Sequence, residues 1–228
     1  MNNKVELIGY YGGDESHACS AWTSTTRNLT NEKKERIPAI LKMLAEKGHH
    51  TPFEKSSLHF LVDSDIASHI HFLKHRIGVS INGESARYKE LKEDKFYIPN
   101  DWKNVQSSSY FHINSDDTTN DTFENKDWAT LLQEYTELSN RLYHSALKDL
   151  EPVIGRKRAK ESARFFKTYN SQIQIDVMFN WRSFIHFQGL RNKLDAQLEI
   201  REIAEEMLNL VKQINGNPFQ YSIEAFKL

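Results

Sequence analysis

The chain has 228 residues, 39% of them hydrophobic and 27% charged, with a formal net charge of -1 at pH 7. That length suits one domain with a substantial core, so a single domain over residues 1–228 is expected. The near-zero charge argues against a general nucleic-acid binder, which carries a basic excess, but leaves room for a local phosphate pocket. Cys19 is the one cysteine, which rules out an intrachain disulfide and any thiolate cluster. His49-His50 brings no further ligands at a metal-binding spacing, so no metal site is expected. No run approaches 18 apolar residues, and MNNKVELIGYYGG lacks the charged-then-apolar pattern of a signal peptide. A reducing, cytoplasmic setting is the expectation.

Val5 to Tyr10 reads as a strand stopped by Gly12-Gly13. Ile37 to Lys47 reads as a helix, with Pro38 in the first turn and Gly48 at its end. Ser57 to Val62 is a second strand. Ser64 is placed to cap a helix from Asp65 to about His75, which would carry His71, Lys74 and His75 at related positions. Phe96 to Lys126 is rich in Ser, Asn, Asp and Thr and reads mostly as loop. From Trp128, Leu131, Leu132, Tyr135, Leu138, Leu142, Tyr143, Ala146 and Leu150 recur at helical spacing, a core stripe. The basic helix GRKRAKESARFF follows. Gln172 to Phe179 alternates strictly, with Ile173, Ile175, Val177 and Phe179 on one face of a half-buried strand. Asn180 caps a helix through Leu190, and Asp195 is placed to cap another to about Ile214, ended by Gly216 and Pro218. The sum is an α+β domain, a mostly antiparallel sheet covered by long helices.

The stretch most loaded with chemistry is KHRIGVSINGESARY, Lys74 to Tyr88. Lys74, His75, Arg76 and Arg87 offer donors for phosphate oxygens. Gly78, Ser80, Asn82, Gly83 and Ser85 allow close backbone approach and add polar contacts. Such a run suits a phosphorylated planar ligand, although a solvated basic turn would read the same way. No dinucleotide fingerprint or P-loop occurs, since GYYGGD has the wrong spacing for either. Arg164, Asn180, Arg182 and Arg191 lie at element edges, where they suggest further fixed positive charge.

In these motifs the chain resembles the flavin-dependent thymidylate synthases. Lys74-His75-Arg76 running to Ser85-Ala86-Arg87-Tyr88 is similar to that family's signature, with Ser80 and Asn82 also matching. HTPFEKSS from His50 to Ser57, SAWTST from Ser20 to Thr25, ESAR ending at Arg164, NWRSFIHFQGLR from Asn180 to Arg191, and Ala196-Gln197 with Glu199-Ile200 follow in the family's order. The resemblance implies the fold above and reductive methylation of dUMP to dTMP. Methylenetetrahydrofolate would be the carbon donor, FAD the flavin and NADPH its reductant. It also implies a homotetramer with shared active sites, and no membrane or nucleic-acid partner.

Position by position, the resemblance assigns Ser57, Lys74, His75, Arg76, Asn180, Trp181, Arg182 and His186 to FAD. It assigns His71, Lys74, Glu84, Ser85, Ala86, Arg87, Arg164 and Arg191 to dUMP, with Arg191 stabilising the uracil anion. Several positions depart from the family pattern. One extra residue lies between Arg76 and Ser85. Lys55, His71, His186 and Asp195 replace other residues, Lys74 replaces an arginine, and Gly83 stands where a glutamate is common. These departures keep in view a related enzyme making another 5-substituted pyrimidine nucleotide, for example by hydroxymethylation, and the same basic surface would also serve a non-catalytic nucleotide- or nucleic-acid-binding module.

Overall fold

The fold is described from a computed structural model, and the residues described are 2–26, 28–85, 87–108 and 126–228. The chain forms two compact units. A sheet unit takes Lys4–Asp63, Ser68–Asn82 and Gln174–Leu228. A helical unit takes residues up to Asn3 together with Ser64–Ala67 and Gly83–Ile173.

Four strands, β1 (Lys4–Tyr11), β2 (Ser57–Asp65), β3 (Val79–Gly83) and β4 (Gln172–Asn180), form one sheet in the order β1-β2-β4-β3. β1 and β2 pair antiparallel, from Lys4 opposite Asp63 to Tyr11 opposite Ser57, with a bulge between Leu7 and Gly9. The period-2 reading of β4 holds: Ile175, Val177 and Phe179 are buried while Gln174, Asp176 and Met178 are exposed. Leu58, Phe60 and Val62 of β2 are likewise buried. These faces, with Phe72, Trp181, Phe184 and Phe187, make the apolar core of the sheet unit. Onto that core pack α1 (Asp14–Trp22), α3 (Ile37–Glu46), α7 (Trp181–Arg191), α8 (Leu198–Lys212) and α9 (Gln220–Phe226), with the short α2 (Asn31–Glu35) leading into α3 and α4 (Ile66–Phe72) following β2. Pro38 sits in the first turn of α3 as expected.

The helical unit is built on α5 (Trp128–Ile154) and α6 (Arg156–Ala163). Asp127 caps α5 by accepting from the Thr130 N–H at 2.8 Å. Tyr143, Leu147, Ala159 and Ala163 form its core cluster.

Several expectations need correction. Ser64 belongs to β2, and its hydroxyl finds no partner among the described residues, so it is no helix cap. α4 ends at Phe72, so Lys74 and His75 lie past it in a turn held by His75 N–H to Phe72 O at 2.9 Å. Gln197, not Asp195, precedes α8, and its side chain makes no cap hydrogen bond. The helix stops at Lys212. The stripe on α5 is narrower than its sequence suggests: Leu131 and Tyr143 are buried, but Tyr135 and Leu142 are 54% and 42% exposed. Thr136, Ser139 and Asn140 take buried places instead. Within 96–126 there is more order than a loop. Asn100–Trp102 forms a 3-10 turn, and Phe96 and Gln106 bridge Ser171 and Asp127. Residues 109–125 lie outside the described residues. β3 formed inside the basic stretch, and α1, α2 and α9 were not anticipated.

Candidate functional site

Much of the candidate site in the sheet unit is organised by the N-terminus of α7. Asn180 closes β4 and caps that helix, its Oδ1 accepting from the Ser183 N–H at 2.8 Å. The segment before β3 is clamped to the same end. Gly78 O accepts from Asn180 N–H at 3.0 Å, and Ile77 O accepts from the Ser183 hydroxyl at 2.6 Å. Gly78 has φ +64, and a Cβ there would stand 2.3 Å from Asn180 Nδ2 and 2.4 Å from Ser183 Oγ. Only glycine fits. This locks Lys74-His75-Arg76 in sequence next to a helix start.

Lys74 and Arg76 are exposed, and neither makes an ion pair among the described residues. Arg182 pairs with Glu54 at 2.5 Å. The first-turn N–H groups of α7, on Trp181 and Arg182, have no intrahelical acceptor by the geometry of a helix end, which favours an anion there. The Trp181 side chain is fully buried and stacked on Phe219 at 4.9 Å, so its backbone N–H is the part it can offer. His186 is exposed, with its ring 5.8 Å from that of His75. The free cations and the helix start suit the diphosphate of a dinucleotide such as FAD.

His75 turns inward, 6% exposed, and packs on Phe187. Burial, with Arg191, His186 and His71 nearby, lowers its pKa to about 4. It is therefore neutral near pH 7, and its Nε2 accepts from Arg191 Nε at 3.1 Å. That places the imidazole proton on Nδ1. Burial also lowers the Arg191 pKa, but a guanidinium stays charged. One donor of Arg191 is thus spent on a neutral partner, while its two terminal nitrogens remain for a ligand. His71 donates from Nε2 to Gln197 Oε1 at 3.0 Å, and Gln197 in turn donates to Glu199 at 2.8 Å. Ser57 opens β2 beside a cavity of about 550 Å³ lined by Tyr11, Cys19, Glu54, Lys55 and Ser56 among others.

In the helical unit, Ser85 begins a turn whose carbonyl accepts from the Tyr88 and Lys89 N–H groups, both at 3.0 Å. Glu84 pairs with Lys89 at 2.7 Å. Arg87 donates from Nε to Glu161 at 3.1 Å, which leaves its terminal nitrogens for an anion. Arg164 follows the last residue of α6, exposed and without an ion pair among the described residues. Ala86 lies outside the described residues. Sequence reasoning missed Gln197 as the partner of His71 and Glu161 as the partner of Arg87. It also missed the buried set Asp14, His17, Ser56 and Ser222. The one sequence signal for that set was an aspartate directly after Gly12-Gly13, in the place of a helix start.

The α+β fold is shared with a UMP/dUMP methylase, PolB from Streptomyces cacaoi. That structure was solved with 5-Br dUMP and matches with a TM-score of 0.71 at 24% identity, covering 99% of this chain and 95% of that one. The family model described as thymidylate synthase complementing protein matches residues 6–215, and the chain belongs to that family. A flavin-dependent thymidylate synthase of Thermosipho africanus is 30% identical over 92% of this chain and 86% of its own length. One from Clostridium tetani is 28% identical over 97% and 87%.

Proposed function

We propose that the protein is a flavin-dependent thymidylate synthase that converts dUMP to dTMP. Its carbon donor is methylenetetrahydrofolate, its flavin is FAD, and NADPH is the reductant. The observation that carries this reading is the family match across residues 6–215. Within that span lies the Lys74–Arg76 run, tied by Gly78 to the start of α7. Bound flavin would supply the two-electron reduction that turns the one-carbon unit into a methyl group. On the sheet unit, Lys74, Arg76, Asn180, Arg182 and the Trp181 N–H would hold the flavin cofactor at its diphosphate, and Ser57, His75 and His186 would complete the cofactor set. Arg191, presented by neutral His75, stabilises negative charge on the uracil ring, and His71 belongs to the nucleotide set. On the helical unit, Ser85, Arg87 and Arg164 supply phosphate donors, with Glu84 and Ala86 in the same nucleotide segment.

Residues 1–228 are read as one functional domain, working as a cytoplasmic homotetramer. Among the described residues no helix is long and apolar enough to cross a membrane. The test is direct. The protein is incubated with FAD, NADPH, methylenetetrahydrofolate and dUMP, and the nucleotide is identified by mass. Gain of a methyl group supports the reading. Gain of a hydroxymethyl group moves it to the related chemistry, and no conversion with no flavin bound overturns it.

A further inference from the structure

Beside the cavity at Ser57 runs a chain of four buried side chains, all within the sheet unit. Asp14 opens α1, and its carboxylate accepts from Tyr221 N–H at 2.8 Å, Ser222 N–H at 2.9 Å and the Ser222 hydroxyl at 2.5 Å. His17, one turn further along α1, is fully buried. Its Nδ1 lies 2.9 Å from Ser222 Oγ and its Nε2 2.7 Å from Ser56 Oγ.

The carboxylate end fixes the direction of every donor in this chain. Burial raises the Asp14 pKa above 3.8, but three donors face the carboxyl, as suits the ionised form. An ionised carboxylate only accepts, so the Ser222 hydroxyl donates to it. Toward His17, Ser222 Oγ can then only accept, and His17 carries its proton on Nδ1. His17 Nε2 is left with a lone pair, and Ser56 commits its single hydroxyl proton to it. Burial lowers the His17 pKa to about 3, so the ring stays neutral near pH 7 and keeps the tautomer its two partners set.

Apart from the Ser222 hydroxyl set between imidazole and carboxylate, this is also the donor order of an activated serine nucleophile. Magnitude decides against that role. A general base works best with a pKa near the working pH, and His17 lies several pH units below it. What the chain does is fix polarity. Ser56 lines the cavity and directly precedes Ser57. With its proton turned inward, Ser56 can only accept from whatever occupies the cavity.

We infer that His17 is a positioning residue, which through Ser56 makes the cavity wall next to Ser57 a fixed hydrogen-bond acceptor toward a donor group of the bound FAD. The inference rests on the flavin reading of Ser57. It goes beyond that reading by naming the buried device that sets this wall's polarity.

Two substitutions at one position separate positioning from mere stapling. His17→Asn keeps a donor at the δ position for Ser222 and loses the acceptor for Ser56. His17→Gln offers an acceptor at the ε position to Ser56 and loses the donor to Ser222. FAD affinity is measured by flavin fluorescence on each full-length variant, with Tm recorded alongside. His17→Asn frees the Ser56 proton to turn into the cavity and should bind FAD more weakly than wild type, by up to about 10-fold, the worth of one hydrogen bond, with the smaller drop in Tm. His17→Gln should bind FAD like wild type despite the larger drop in Tm. Ser56→Ala, which removes the acceptor outright, should weaken FAD binding at least as much as His17→Asn. Equal weakening by both His17 variants, or none in either, reduces the chain to a structural staple and overturns the inference. A wild-type protein with no FAD affinity overturns the flavin reading itself, and the inference with it.

Discussion

Arg191 illustrates how one residue carries two physical roles. It is the last residue of α7, where a cation is worth about 0.3–1 kcal/mol against the helix dipole. Its Nε is also tied to His75, which aims the rest of the guanidinium. Replacing it separates the roles. Loss of a helix-end cation lowers Tm slightly and leaves turnover intact. Loss of a preorganised charge stabiliser costs on the order of 10²–10³ in turnover. We expect Arg191→Ala to show the second pattern while still binding flavin. Normal dTMP formation by the flavin-loaded variant would remove Arg191 from the mechanism.

At the scale of elements, the junction of β4, α7 and the turn before β3 is where fold and site coincide. The Asn180 cap is worth about 1 kcal/mol by itself. Gly78 makes the junction possible, because its positive φ and the atoms within 2.4 Å of a Cβ exclude any side chain. Gly78→Ala should push Asn180 and Ser183 out of place. The expected result is loss of more than about 1 kcal/mol of stability together with weaker FAD binding. Urea unfolding and a flavin titration check both, and wild-type values in each would show that the clamp is slack. Asn180 was recognisable as a cap in the sequence because the alternation of β4 ends directly before it. The clamp was not recognisable, since Gly78 and Ser183 meet only through folding.

For the whole molecule, two buried imidazoles set the response to acid. His17 and His75 have pKa values lowered from 6.5 to about 3 and about 4. Below about pH 6.5 the unfolded chain binds protons at these positions and the native protein does not. Stability therefore falls as pH drops, down to about pH 4 for His75 and about pH 3 for His17. Each costs about 2 kcal/mol by pH 5 on this linkage. Asp14 acts in the opposite sense, since its raised pKa lets the native state take a proton first, above 3.8. Arg191, His186 and His71 face His75 and hold its pKa down alongside burial. The urea midpoint should be clearly lower at pH 5 than at pH 7, and His17→Asn should flatten that slope. An unchanged midpoint would contradict the burial of both rings. The proposed tetramer is tested by light scattering with FAD present, where a mass near 26.7 kDa would rule it out.

The sequence by itself determined the elements whose signal is local. Strict alternation wrote β4 into residues 172–180, a proline and a glycine bracketed α3, and Asn180 announced α7. The ordered motifs also identified the family before any coordinate, because such matches depend on residue type and spacing alone. The tertiary structure decided what depends on partners distant in the chain. Ser64 and Asp195 look like caps, yet the strand in one case and Gln197 in the other hold the places they would need. Tyr135 and Leu142 fit a core stripe, yet among the described residues both stay exposed. The protonation states of His17 and His75 follow from desolvation by elements up to 205 residues away. A side chain's charge and hydrogen-bond direction are set by what surrounds it, and a linear sequence does not say what that will be.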